Sequence, residues 1–311
     1  MDLDTVLDRT LAGYTRVGSA IRRRAWECLP AEALAGSTAV VTGSTRGIGR
    51  AAAEGMAALG ARVVVVARNP MRVAAAVDEI TASTGADVRG EVADLSLMAE
   101  VRALADRLMG AEPRIDLLVN NAGALFPERA LTDEGIERTF ALDLLGHYVL
   151  TEALVPRLVE SAPARIINVT SGGMYTQRIS TSDLEAERGA YDGRKQYARM
   201  KRGQVILSEE WAKRLEGTGV VVHAMHPGWV DTPGVESGIP LFHRVMKPLL
   251  RKVDDGADTI VWLGASDEAG ATTGAFWHDR RERPTHRIDR TRETTEQRER
   301  LMAELARYAG L

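Results

Sequence analysis

The stretch from Thr38 to Leu59 leaves this chain few folds to choose from. Thr38-Ala39-Val40-Val41-Thr42 reads as a buried strand, Gly43-Ser44-Thr45-Arg46-Gly47-Ile48-Gly49 follows, and an alanine-rich helix runs on to about Leu59. A strand feeding a helix through a glycine turn aims backbone N–H groups and the positive helix end at an anion, and side chains in the turn would block a pyrophosphate. The spacing Gly-x-x-x-Gly-x-Gly departs from the commoner Gly-x-Gly-x-x-Gly fingerprint, so the mechanism carries over and the pattern does not.

Further strands are expected at Arg62 to Ala67, Asp87 to Val92, Ile115 to Val119, Arg165 to Val169, Val220 to His226 and Gly274 to Trp277, with helices between them. The alternation of strand and helix is that of an α/β domain with a parallel sheet. At the end of the second strand a carboxylate would accept the ribose 2′-OH of NAD, but this chain offers Arg68, with Arg46 in the glycine turn. Two guanidiniums suit a 2′-phosphate, so NADP(H) is expected in preference to NAD(H). Asp94, after the third strand, could bond an adenine amino group or serve only as a turn residue. Asn120-Asn121-Ala122-Gly123 follows the fourth strand, at the sheet end where open α/β folds bind ligands.

Tyr-x-x-x-Lys occurs twice, at Tyr191/Lys195 and Tyr197/Lys201. Residues four apart share a helix face, so either pair could act on one ligand. Asp192-Gly193 reads as a helix start, with Asp192 as N-cap, which places Tyr191 outside the helix and Tyr197 and Lys201 inside it. A free phenol titrates near pH ~10, and an adjacent ammonium favours its ionised form, so Lys201 is expected to tune Tyr197 for proton transfer near neutrality.

Thr42-Gly43-x-x-x-Gly47-x-Gly49, Asp94-Leu95, Asn120-Asn121-Ala122-Gly123, Ser171, Tyr197-x-x-x-Lys201 and Pro227-Gly228-x-Val230-x-Thr232 stand in the order found in short-chain dehydrogenases/reductases, which the chain resembles. Thr170 to Met174, Tyr191-Asp192-Gly193 and the tail Asp279-Arg280 with Pro284-Thr285-His286 resemble the retinol-dehydrogenase-like branch of that family. The resemblance implies a single doubly wound Rossmann domain with a mainly parallel seven-stranded sheet, over residues 36–278. It assigns Ser171, Tyr197, Lys201 and Asp143 to catalysis. To cofactor binding it assigns Gly43, Thr45, Arg46, Gly47, Ile48, Gly49, Arg68, Asp94, Leu95, Asn121, Ala122, Gly123, Tyr197, Lys201, Pro227, Gly228, Val230 and Thr232. Asp143 stands where the family has an Asn that bends its helix and holds a water linking the lysine to solvent; an ionised Asp adds charge there and cannot donate. The implied activity is hydride exchange between NADP(H) and a hydroxyl or carbonyl of a small, lipophilic substrate, with Tyr197 as acid/base. A catalytically silent NADP(H)-binding scaffold or sensor is the alternative. The loop of about Tyr175 to Gly189 would shape substrate choice. The apolar-faced stretch Gly238 to Lys252 reads either as a lid or as a helix packed on the core.

Residues 1–35 are expected to form a helical appendage, with one helix over 4–27, and residues 279–311 a basic connector and a terminal helix. Arg16, Arg22, Arg23 and Arg24 make the first a candidate for peripheral membrane contact, against the plainer reading of a helix packed on the protein's own surface. A net charge of −3 gives no electrostatic case for nucleic acid, and no metal ligand set is expected. Cys28 is the only cysteine, which excludes an intramolecular disulfide and fits a reducing cytoplasm. A homo-oligomer is expected from the family's habit of pairing subunits.

Overall fold

The computed structural model describes residues 3–311. Eight strands form one sheet in the order β3-β2-β1-β4-β5-β6-β7-β8. They are β1 Thr38–Thr42, β2 Arg62–Ala67, β3 Val88–Val92, β4 Leu117–Asn120, β5 Ala164–Val169, β6 Val220–Met225, β7 Phe276–His278 and β8 Arg281–Glu282. All neighbouring pairs are parallel except β7 with β8. The family pattern of seven strands is thus extended by a two-residue eighth. Asp279 and Arg280 both take left-handed backbone conformations (φ +54° and +55°) and turn the chain back, pairing Trp277 with Glu282 and His278 with Arg281.

β1 shows why helices cover both faces. Its side chains alternate, with Val40 in one apolar cluster and Ala39 and Val41 in the other. The Met98–Ala111, Gly146–Glu160, Gly193–Arg214 and Thr295–Ala309 helices supply the first cluster through residues such as Leu104, Leu150, Trp211 and Leu301. The Gly47–Ala58, Pro70–Thr84 and Val253–Ala265 helices supply the second through Met56, Ile80 and Ile260. The strand order reverses between β1 and β4, so a crevice opens beyond their carboxyl ends.

The N-terminal segment is not the single helix expected over 4–27. It comprises helices Leu3–Asp8 and Arg16–Arg23 around a 3-10 turn, Leu11–Tyr14. Thr15 breaks the run by accepting a bond from the Val17 N–H as N-cap, and the turn presses Gly13 against the backbone of Leu7. The segment is pinned to the far end of the chain. Arg22 bonds Asp4 and Asp279, Arg283 bonds Asp4, and Arg287 bonds Asp8, all at 2.7–2.8 Å. The stretch after Asp279 is tied down at points, with Asp279, Arg283 and Thr291 buried, while Arg281, Glu282, Arg290 and Arg292 remain exposed. The terminal helix is held by a buried Arg202–Glu293 pair at 2.9 Å. The stretch Gly238 to Lys252 is also broken, into Pro240–Met246 and a 3-10 turn Lys247–Leu249, because prolines at 240 and 248 cannot continue a helix through its interior. Among the described residues no helix is long and apolar enough to cross a membrane.

Candidate active site

The glycine turn lies at the carboxyl end of β1, clamped from β4. The Thr42 hydroxyl donates to the Val119 carbonyl and accepts from the N–H groups of Asn121 and Ala122, while Asn121 Nδ2 donates to the Thr42 carbonyl. Gly43 has φ +66°, and a Cβ there would sit 2.9 Å from Ala122 Cα, so only glycine permits both the turn and the approach. Arg46 occupies the N-cap of the Gly47–Ala58 helix without offering a side-chain bond, leaving the first N–H donors of that helix uncapped. A Cβ at Gly47 would lie 3.6 Å from Thr232 Cγ2, and one at Gly256 3.3 Å from Ile48, which brings the segments after β1 and β6 together. This cradle of bare backbone, with uncapped helix donors, fits a dinucleotide pyrophosphate.

Arg68 and Arg46 are both exposed at the ends of β2 and β1, which pair directly. Arg68 reaches Asp94 only at 3.9 Å, a weak exposed contact. Asp94 itself accepts from the Ser96 N–H and hydroxyl, the turn role weighed against adenine contact, and leaves its second oxygen toward Arg68. Leu95 is buried. A surface hollow lined by Ser37, Thr38, Arg62 and Asp87 opens at the amino ends of β1 and β2, opposite these residues.

The two Tyr-x-x-x-Lys registers separate in space. Asp192 caps the Gly193–Arg214 helix by accepting from the Arg194 and Lys195 N–H groups, as its sequence position implies. Tyr191 lies before the helix, and its hydroxyl is taken up by Glu137 (3.1 Å) and Thr139 (3.0 Å); Lys195 is exposed. Tyr197 and Lys201 lie inside the helix. Lys201 Nζ is buried, donates to the Val169 carbonyl at the end of β5, and would stand 3.0 Å from a Cβ at Gly123. Ser171 caps the short turn that follows β5 by accepting from the Gly173 N–H, and it lies near enough to Tyr197 to pull that phenol downward.

Asp143 is fully buried in a π-helical turn, Ala141–Leu145, that interrupts the run of helix leading to Glu160. Its Oδ1 accepts from the Ala124 N–H at 2.8 Å and its Oδ2 has no partner. Burial pushes its carboxyl up to about 7, against the pull of Lys201 and the Ala124 N–H. Burial also lowers Lys201, with Asp143 opposing, and holds His147 neutral at about 3. The expectation that Lys201 brings Tyr197 down toward neutrality is not what the protein's own groups do. Burial raises the phenol, Asp143 raises it further, and the nearby Ser171 side chain pulls it down. Lys201 Nζ is 5.5 Å from the Tyr197 ring centroid, directed at the Val169 carbonyl, and its charge is offset by Asp143.

After β6, Gly228 has φ +80°, and a Cβ would meet Arg251 Nε at 2.5 Å, so this turn is glycine-dependent as well. Pro227 and Gly228 are partly exposed, Val230 is buried and bridges to Arg251, and Thr232 caps the next helix by accepting from the Val235 N–H. Sequence reasoning missed Arg251, Asp279, His278 and Tyr14, which meet around this turn. Arg251 bonds both oxygens of Asp279 and the carbonyls of Gly13 and Tyr14. Asp279 stands in the tail motif Asp279-Arg280, but that motif does not announce the cluster, and the contacts of Arg251 with Gly13 and Tyr14 span more than 200 residues.

A doubly wound fold with a glycine cradle and a tyrosine–lysine pair at one sheet edge defines a nicotinamide-dependent oxidoreductase of the Rossmann type. The chain belongs to the short-chain dehydrogenase family, whose pattern, described as short chain dehydrogenase, matches residues 37–238. It is 40% identical over 278 residues to dehydrogenase/reductase SDR family member 12 of Bos taurus, covering 88% of this chain and 87% of that one. It is 33% identical to retinol dehydrogenase 12 of Homo sapiens, over 79% of this chain and 78% of that one, which agrees with the branch seen in the motifs. Among solved structures, the Pseudomonas aeruginosa RhlG/NADP active-site complex superposes with a TM-score of 0.66 at 27% identity, over 80% of this chain and 96% of that one. The family acts on hydroxyl and carbonyl groups with a nicotinamide cofactor.

Proposed function

We propose that this protein is an NADP(H)-dependent oxidoreductase that interconverts a hydroxyl and a carbonyl on a small lipophilic substrate, with Tyr197 as acid/base. The observation that carries the proposal is the placement of Tyr197 and Lys201 one helical turn apart, between Ser171 after β5 and Gly123 after β4. When bound, the nicotinamide supplies or accepts the hydride. Tyr197 donates its phenolic proton to the carbonyl oxygen in reduction and recovers it in oxidation. Ser171 holds that oxygen through its hydroxyl. Lys201, seated against Gly123, places a positive charge where the cofactor ribose would lie. Burial raises the Tyr197 phenol, so the resting residue carries the proton that reduction requires. The exposed apolar side chains of Leu241 and Val245 support a lipophilic substrate.

The arginines support NADP(H) over NAD(H). Arg46 and Arg68 stand free enough to take a 2′-phosphate, no carboxylate ends β2, and the RhlG structure named above is an NADP complex. The test is kcat/KM for NADPH and NADH with a panel of lipophilic aldehydes and ketones, in the wild type and in an Arg46→Ala/Arg68→Ala double variant. NADPH preference in the wild type, reduced at least about tenfold in the variant, is expected. Equal efficiencies in the wild type would defeat the cofactor assignment.

A further inference from the structure

The N-terminal segment ends its 3-10 turn at Tyr14, and this residue sits in an unexpected place. Its ring edge approaches Gly172, the neighbour of Ser171, so closely that a Cβ at Gly172 would lie 3.2 Å from Tyr14 Cε1. Its carbonyl accepts from the Trp229 N–H at 2.8 Å and from Arg251 Nε at 3.0 Å, fixing it to the turn that follows Pro227-Gly228. Its ring stacks on Trp229 with centroids 5.6 Å apart, and Trp229 meets Phe242 edge-on at 5.2 Å. Tyr14, Trp229 and Phe242 are each only partly buried. Three partly exposed aromatic rings thus run in contact from beside Ser171 to the helix Pro240–Met246.

The anchorage behind this row is rigid. Behind Tyr14, its ring also stacks on His226 and His278, and Arg22 and Arg251 converge on the buried Asp279.

We propose that Tyr14 is a specificity-determining residue: with Trp229 and Phe242 it forms the wall on which the non-reacting part of the substrate stacks, and that part is a flat, apolar ring system. The family pattern covers residues 37–238, so Tyr14 and Phe242 come from outside it and Trp229 from within. Flat π-systems gain from offset or edge-on contact with aromatic rings beyond the area they bury, which an aliphatic chain of equal size does not. The inference rests on the oxidoreductase reading for the position of the reacting oxygen, but it can be measured without turnover.

Methyl naphthyl ketone and methyl decyl ketone present the same reacting group and the same number of carbons. Their binding to the protein saturated with NADP+ is measured by calorimetry for the wild type, Tyr14→Phe and Tyr14→Leu, and each ketone is then tested as a substrate with NADPH. The wild type should bind the naphthyl ketone more tightly, Tyr14→Phe should match it, and Tyr14→Leu should lose about tenfold for the naphthyl ketone with little change for the decyl ketone. Equal losses for both ketones, no loss, or no binding of the naphthyl ketone to the wild type overturns the wall. Selective loss of binding without turnover of either ketone keeps the wall and rejects the oxidoreductase reading, so the two failures are distinct. Should Tyr14→Leu not fold, contacts between naphthyl protons and the Tyr14 ring, read as intermolecular NOEs in the wild type, decide the question: their presence supports the wall and their absence rejects it.

Discussion

The half of the site built on β1, β2 and β4 and the half proposed to face the substrate are put together in opposite ways. The first is a backbone cradle whose parts come from short contiguous motifs, with Gly43 held against Ala122 and Asn121 bonded to Thr42. The second gathers Tyr14, Gly172, Trp229, Arg251 and Asp279 from one end of the chain to the other, through ring stacking and a buried ion cluster. A pyrophosphate always asks for the same bare N–H groups, so its site can be written locally. A substrate pocket is shaped by side chains, and any segment that reaches the rim can supply them.

If that division is right, the largest effect belongs to the residue at the seam. Tyr197→Phe is expected to lower kcat about 10²- to 10⁴-fold while NADPH affinity is retained, since it removes a positioned acid and no part of the cradle. Tyr191→Phe should keep turnover, its hydroxyl being committed to Glu137 and Thr139. Steady-state kinetics beside a fluorescence titration of NADPH check both; the reverse pattern would move the chemistry to the other register.

Breaking the ion cluster should cost stability before chemistry. Asp279 is held far below the usual carboxylate range, with burial opposing and His278, Arg251 and Arg22 favouring the charged form. Asp279→Ala leaves two buried guanidiniums short of their partner and is expected to cost about 3–5 kcal/mol, read from denaturant unfolding. A loss near that of an exposed ion pair, under about 1 kcal/mol, would show that the N-terminal segment is not anchored this way.

Asp143 tests the boundary between the halves through pH. A carboxyl raised from 3.8 to about 7 binds its proton more tightly folded than unfolded. Its contribution to stability is therefore full below 3.8, declines as pH rises, and is lost above about 7. Asp143→Asn escapes that decline, so its unfolding free energy should gain on the wild type across this window, by on the order of a few kcal/mol, and then level off. Parallel pH profiles would mean that the carboxyl is not held in its acid form.

What the sequence made legible follows the same division. The glycine turn, Asn121, the Asp192 cap and the positions of Tyr191 before the helix and Tyr197 inside it are local facts, and each stands where its sequence pattern puts it. The expected seven parallel strands are present, and the eighth was hidden in a two-residue turn at Asp279-Arg280 whose left-handed backbone no residue type announces. The single helix expected over 4–27 does not form, because the helical spacing of Leu7, Leu11 and Tyr14 carries no sign of the close packing at Gly13 that breaks it. The raised Tyr197 phenol was equally out of reach, since burial depends on tertiary packing while the Tyr–Lys spacing does not.

The most direct test of the proposed chemistry follows the hydride itself. Wild-type protein is given NADPH deuterated at the transferable C4 position together with a lipophilic ketone, and the recovered alcohol is examined by mass spectrometry and NMR. Deuterium on the carbinol carbon, with transfer lost in Tyr197→Phe, is the result expected. Tight NADPH binding with the label retained on the cofactor, across ketones that demonstrably bind, would contradict hydride transfer and leave a cofactor-binding scaffold in its place.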